Sequence, residues 1–162
     1  MITREEIAQD IMNEKYNEVV PKIRILLEKY PTDFDLLTKL VMALSNIRSF
    51  AEADKVILEI ENNHPPNPYL EYVKAKRCYD EGKIKTAILL LENNINFYKN
   101  NIHNSCLFLC YELLALSYRY LRDLHKFLEY SKLAVSFSDI ELSKLNIYSN
   151  YLFYSNYLLD IS

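Results

Sequence analysis

Three residues have the types and the spacing to approach one metal ion. His103, Cys106 and Cys110 stand at i, i+3 and i+7, so they share one helical face. Thiolates and an imidazole are zinc ligands, but a structural zinc site is closed by four of them. Neither Cys78 nor His125 is placed by sequence to supply the fourth. Cysteine is also among the most buried residue types and packs as a small apolar side chain. Core packing is the reading here, with no metal and no cofactor expected. Gly82 is the only glycine, so no glycine-rich loop exists to cradle a phosphate. No nucleophile stands with a base that the sequence can place beside it. Paired carboxylates such as Glu5–Glu6 and Asp80–Glu81 read as solvated faces and helix ends. The expectation is a protein that is not an enzyme.

The elements around these residues are helical. In the stretch 34–65, Leu37, Leu40, Val41 and Leu44 recur at three- and four-residue spacing, which is one face of a helix. Asp33 and Asp35 stand at its entrance, where carboxylates favour the positive end of the dipole. Phe50, Ala53, Ile57 and Ile60 line one face of a second helix, which Pro65 and Pro66 end. Such a pair cannot bury its apolar face alone, so it implies neighbours.

The neighbours follow at a fixed step. Pro31 and Pro65 lie 34 positions apart, and Tyr16, Phe50 and Ile84 step by the same interval. So do Val19, Ala53 and Ala87, and again Ile23, Ile57 and Leu91. Ala75, Ile84 and Ala87, with Gly82 in the turn, repeat a pattern of small, large and small residues. Tyr111, Leu114, Ala115, Tyr118, Leu124 and Ala134 repeat it further on. A period of about 34 residues with two helices per unit is the tetratricopeptide pattern, and the chain resembles that family over nearly its whole length. The resemblance implies an all-α, tetratricopeptide-like solenoid of helical hairpins, about four repeats plus a C-terminal helix, in one domain over 1–162.

Five local departures are expected to show. Val41 and Phe127 stand where small residues are usual, which predicts looser packing. The first turn, at Asn13–Tyr16, reads as one residue short. Pro21 predicts a kink or a late start in the second helix. The run 99–104 shifts the register by six residues and reads as helix extension plus turn.

The composition sets bounds. The chain has 162 residues, 50% of them apolar, with a single Gly and five Pro, which suits packed helices and short turns. Net charge is −3 with the bases scattered among acids, so no nucleic-acid or anionic-membrane footprint is expected. The apolar run 106–116 is interrupted by Glu112 and is too short to span a membrane. The opening residues read as a polar helix capped by Thr3, not as a signal peptide. Three cysteines without disulfide spacing fit a reducing cytoplasm.

The resemblance also implies a binding surface. First helices of stacked repeats line a concave groove. The matching positions are Thr38, Met42, Ser45 and Asn46, then Tyr69, Tyr72, Lys76 and Tyr79. Glu112, Leu116 and Arg119 follow, and the last helix adds Asn146, Asn150 and Tyr154. Amides can pair with a peptide group, and tyrosine supplies flat apolar area with a polar tip. The expected function is recognition of a peptide or protein segment, in regulation. The Asn- and Tyr-rich groove also resembles the repeat domains of bacterial peptide-pheromone receptors. Alternative readings are a small secretion-type chaperone and a structural dimerisation or assembly subunit. The last helix, expected from about Asp139 to Asp160, is apolar on most of its circumference. Tyr151, Tyr154 and Leu158 are expected to meet a partner there, a second copy being the simplest.

Overall fold

The computed structural model describes residues 2–101 and 104–137. Two compact units make up the chain, Met1–Lys83 and Ile84–Ser162.

The first unit holds α1 (Arg4–Met12), α2 (Tyr16–Lys29), α3 (Phe34–Asn46), α4 (Phe50–Asn63) and α5 (Pro68–Asp80). Each first helix starts on a side chain that satisfies a free N–H of its opening turn. Thr3 accepts from Glu6, Asp33 from Leu36 and Asn67 from Tyr69. Prolines set two of the boundaries: Pro65 and Pro66 follow α4, and Pro68 opens α5 at a position where no N–H is needed. α3 sits at the centre of the unit. It packs on α2, α4 and α5 and buries Leu36, Leu37, Leu40, Val41, Ala43 and Leu44. Truncating such a leucine to alanine costs about 2–5 kcal/mol.

The second unit holds α6 (Ile84–Asn101), α7 (Asn104–Tyr120) and α8 (Leu124–Phe137) among its described residues. α7 packs on both α6 and α8. The run 99–104 is helix on both sides: α6 extends to Asn101 and α7 starts at Asn104. Every described element is a helix.

The turns between first and second helices are alike. Glu14, Arg48, Gly82 and Arg122 each adopt a left-handed backbone. In each turn the following residue donates its N–H to the carbonyl five positions back: Lys15 to Asp10, Ser49 to Leu44, Lys83 to Cys78, Asp123 to Tyr118, at 2.8–3.0 Å. These are Schellman caps, which satisfy the last carbonyls of a helix. The first turn therefore has the length of the others, against the expectation of a residue missing there. Pro21 lies inside α2, which still starts at Tyr16. Pro21 is exposed.

The large residues in small places are accommodated. Val41 is fully buried. Phe127 is buried too, and Ser131, one turn later on the same face, is small. In the two preceding repeats the order is reversed, with Ala53 before Ile57 and Ala87 before Leu91. Exchanging large and small along one face keeps the packed volume.

Candidate functional site

The first helices of the first unit present a small cavity of about 160 Å³. Its wall is built from four helices. Ile11 comes from the last turn of α1 and Tyr16 from the first residue of α2. Lys39, Met42, Ala43 and Asn46 come from α3, and Tyr69 from α5. The helical period sets this: Lys39, Met42, Ala43 and Asn46 recur at three- and four-residue spacing on one stripe of α3. The lining is mostly apolar, with polar atoms at the edge. The Tyr69 hydroxyl meets the Met42 sulfur at 3.7 Å. The Asn46 amide donates to the Met42 carbonyl at 2.9 Å, which fixes the side chain and leaves its oxygen to accept. Lys39 holds Asp35 at 2.5 Å. Two larger hollows, of about 630 and 540 Å³, lie between Ile2, Arg4 and the end of α2, and between α2, α3 and α4.

The groove residues expected from the sequence divide by burial. Thr38 and Ser45 are buried, and their hydroxyls donate to carbonyls of their own helix, Phe34 and Val41. They face the packed side. Asn46 is exposed, and Met42 and Tyr69 are half-buried at the cavity. Tyr72 is buried, with its ring 5.9 Å from that of Tyr69. Lys76 pairs with Asp80 one turn along α5 and lies 5.9 Å from the Tyr79 ring. Asp80 keeps one carboxylate oxygen, Oδ2, buried without a hydrogen-bond partner.

Glu112 and Arg119 lie on α7 in the second unit. Arg119 is exposed, and Leu116 is half-buried. Glu112 is half-buried, and burial raises its carboxyl above the usual range. Asn146, Asn150, Tyr151, Tyr154 and Leu158 lie outside the described residues, and so does His103. Cys110 is buried and Cys106 half-buried. A hydrogen bond with Cys110 lowers the Cys106 thiol, against the opposing effect of burial. Among the described residues no three His, Cys, Asp or Glu side chains gather as metal ligands. Among them, too, no helix is long and apolar enough to cross a membrane.

Two clusters went unread in the sequence. In the second unit the Tyr118 and Tyr130 hydroxyls both donate to Glu92, at 2.7 and 3.0 Å. Their rings stack at 5.5 Å, and Lys126 donates to the Tyr118 oxygen at 2.9 Å. Tyr111 continues the stack towards Phe137. Burial and the Glu92 carboxylate push the Tyr130 phenol far up. This cluster joins α6, α7 and α8. In the first unit Arg77 is buried on α5. It donates to Asp54 at 2.7 Å and pairs with Glu81, and its guanidinium lies over the Phe50 ring at 5.2 Å. Among the cavity residues outside the expected groove positions, Tyr16 carries a sequence signal in its 34-step with Phe50 and Ile84, which reads equally as packing.

No protein-family model matches the sequence, and no curated protein matches it. Two solved structures of MamA match the fold. One, residues 41 to the end of MamA from Desulfovibrio magneticus RS-1, superposes with a TM-score of 0.58 at 17% identity, covering 98% of this chain and 90% of that one. The other, the MamA RS-1 ArsTM double mutant, gives 0.56 at 16% identity, covering 96% and 93%. At such identity the likeness is one of fold: this chain is an all-α protein of consecutive, tetratricopeptide-like helical hairpins.

Proposed function

We propose that the chain is a non-catalytic binding module, one helical-repeat domain that recognises a peptide or protein segment on its first-helix face. The observation that carries this reading is the cavity between α1, α3 and α5. Met42, Asn46 and Tyr69, three positions matched to the family's groove, line that one hollow. Its apolar wall with a few placed polar groups is the usual make-up of a recognition pocket. Asn46 offers an acceptor for a peptide N–H. Tyr69 offers a ring held in place by Met42 and Tyr72. Tyr72, Lys76 and Tyr79 extend this face along α5. Glu112 and Arg119, with Asn146 and Asn150, belong to the same proposal, as does a partner surface at Tyr151, Tyr154 and Leu158. A role in regulation, in the cytoplasm, is part of the proposal and rests on the sequence.

The test is a selection of random decapeptides on the immobilised full chain, followed by affinity measurement on variants. Asn46→Ala and Tyr69→Ala are expected to weaken the selected peptides several-fold, as loss of a neutral hydrogen bond or a stacking face does, at about 0.5–1.5 kcal/mol each. Leu58→Ala, on the exposed side of α4, is expected to leave affinity unchanged. Full affinity in both groove variants would place the site elsewhere.

A further inference from the structure

The turn between α7 and α8 shares its backbone with the other three hairpin turns and differs from them in its side chains. Arg122 donates its N–H to the Arg119 carbonyl at 3.0 Å, as Glu14 does to Ile11, Arg48 to Ser45 and Gly82 to Tyr79. The left-handed position thus accepts an acid, a base or a glycine, and the turn geometry does not call for the residues found in the fourth. There Arg119 and Arg122 stand on either side of Tyr120 and Leu121. Both arginines are exposed. Tyr120 is 67% exposed and Leu121 41%, so two adjacent large apolar side chains meet water. None of the other three turns carries two bases or two exposed large apolar residues.

The charge of this turn is not matched within the chain. Among the described residues no acid pairs with Arg119 or Arg122. The one acid of the run 119–123, Asp123, caps α8, its carboxylate accepting the Lys126 N–H at 3.1 Å. Lys126 meets Glu92 at 3.9 Å and donates to the Tyr118 oxygen. Two free guanidiniums remain, three positions apart in one turn. Each is a planar fork that matches a carboxylate, and arginine and tyrosine are the residue types enriched at protein interfaces. Two charges beside an acid are too few for a polyanion, whose binding grows with the number of phosphates neutralised, and the chain's net charge is −3.

We propose that the α7–α8 turn is a docking surface for an acidic segment of a protein partner, one in which carboxylates flank a large apolar side chain. Arg119 and Arg122 hold the carboxylates, and Tyr120 with Leu121 covers the apolar side chain. The surface belongs to the second unit and needs neither the hollow of the first nor its ligand. It goes beyond the reading above and shares only Arg119 with it.

The experiment is a selection of random decapeptides on the immobilised full chain at low salt. It runs in parallel on the Arg119→Gln, Arg122→Gln double variant and on a Lys55→Gln, Lys85→Gln control, which removes the same charge at exposed positions outside the turn. The parent is expected to enrich peptides with Asp or Glu around Phe, Tyr, Leu or Met, several-fold over the input pool. The arginine variant should lose about tenfold of this enrichment, as loss of hydrogen bonds to a charged group does. The lysine control should keep it. Tyr120→Ser should lower the apolar preference and leave the acidic one. At about 1 M salt, where the Debye length is near 3 Å, the enrichment should fall. Circular dichroism confirms that the variants are folded, and Arg122→Gly, which suits the left-handed backbone, replaces Arg122→Gln should that check fail. Equal losses in the arginine variant and the lysine control would reduce the effect to net charge and overturn the proposal. So would acidic peptides enriched equally on the parent and the arginine variant, or no acidic preference on the parent. Binding of the parent to phosphatidylserine vesicles or to polyuridylic acid that needs both arginines, with no acidic peptide enriched, would overturn it in favour of a membrane or a nucleic acid. Enriched peptides that all need Asn46, and none the arginines, would overturn it and leave the first-helix reading standing.

Discussion

Arg48 and Gly82 occupy the same place in successive hairpin turns. They lie 34 positions apart with left-handed φ of 63° and 89°. Each donates its N–H to the carbonyl three positions back, Ser45 and Tyr79, at 3.0 and 2.9 Å. Glu14 and Arg122 do the same in the first and fourth turns. A left-handed backbone is needed at each, and glycine meets that need without a Cβ penalty at one position only.

Gly82→Ala is therefore expected to destabilise by about 1–2 kcal/mol. Nothing lies within 4 Å of an added Cβ there, so the cost is that of the backbone alone. Arg48→Gly should be neutral or stabilising, since relief of strain opposes the added freedom of the unfolded chain. Urea unfolding of the two variants checks this. A larger loss in Arg48→Gly than in Gly82→Ala would contradict the shared cap.

Arg77 joins α5 to α4 through Asp54 and Phe50. Arg77→Ala is expected to lower stability by about 1.5–3 kcal/mol, the range for hydrogen bonds to charged groups. Arg77→Lys keeps the charge but not the planar fork, so it should fall between parent and alanine. Thermal melts of the three proteins give the order. Equal losses in the Lys and Ala variants would mean that the guanidinium geometry carries the whole effect.

Asp33 links acid stability to the start of α3. The Arg4 guanidinium, 2.6 Å away, holds its carboxyl below the ordinary range, and the N–H of Leu36 at 2.9 Å acts in the same direction. The unfolded chain takes up this proton first as pH falls. The stabilisation is complete above the ordinary aspartate value of about 4 and is lost as pH drops below it. Melting temperature against pH should fall more steeply for the parent than for Asp33→Asn in that window. Parallel curves would show that Asp33 does not contribute to the acid dependence.

Glu112 has the opposite sign. Its carboxyl is raised by burial, so the folded state holds its proton to a higher pH than the unfolded chain. Ionisation at neutral pH then works against folding. Glu112→Gln should raise the melting temperature at pH 7 and have a smaller effect at pH 4. An equal or lower melting temperature at pH 7 would show that the carboxylate has a favourable contact.

The hairpins were legible because their signals are periodic. Ala53 and Ala87, Ile57 and Leu91 stand at fixed steps and are buried. Asp33 and Pro65 mark helix ends by local chemistry. The six-residue shift before the fourth repeat appears in the turns, where Arg122 follows Gly82 by 40 positions instead of 34. Phe127 looked misplaced because Ser131, its compensation, breaks the same pattern one turn later. The groove was legible only as a set of positions. Whether Thr38 or Met42 faces the hollow depends on a rotation of only about 40° around α3, less than half the step of one residue, which the neighbouring helices decide. Ile11 and Tyr16 enter the wall from a different helix pair, and Glu92 meets Tyr118 and Tyr130 across three helices. Contacts of that kind leave no spacing in the sequence.

Recognition on the first-helix face, as proposed, can be located residue by residue. The most direct measurement is NMR of the full chain titrated with a selected decapeptide. The largest shifts are expected on Ile11, Met42, Asn46 and Tyr69, while the exposed Ile25 and Leu58 on the second helices stay still. Shifts confined to Ile25, Leu58 and their neighbours, with the cavity residues unmoved, would contradict it.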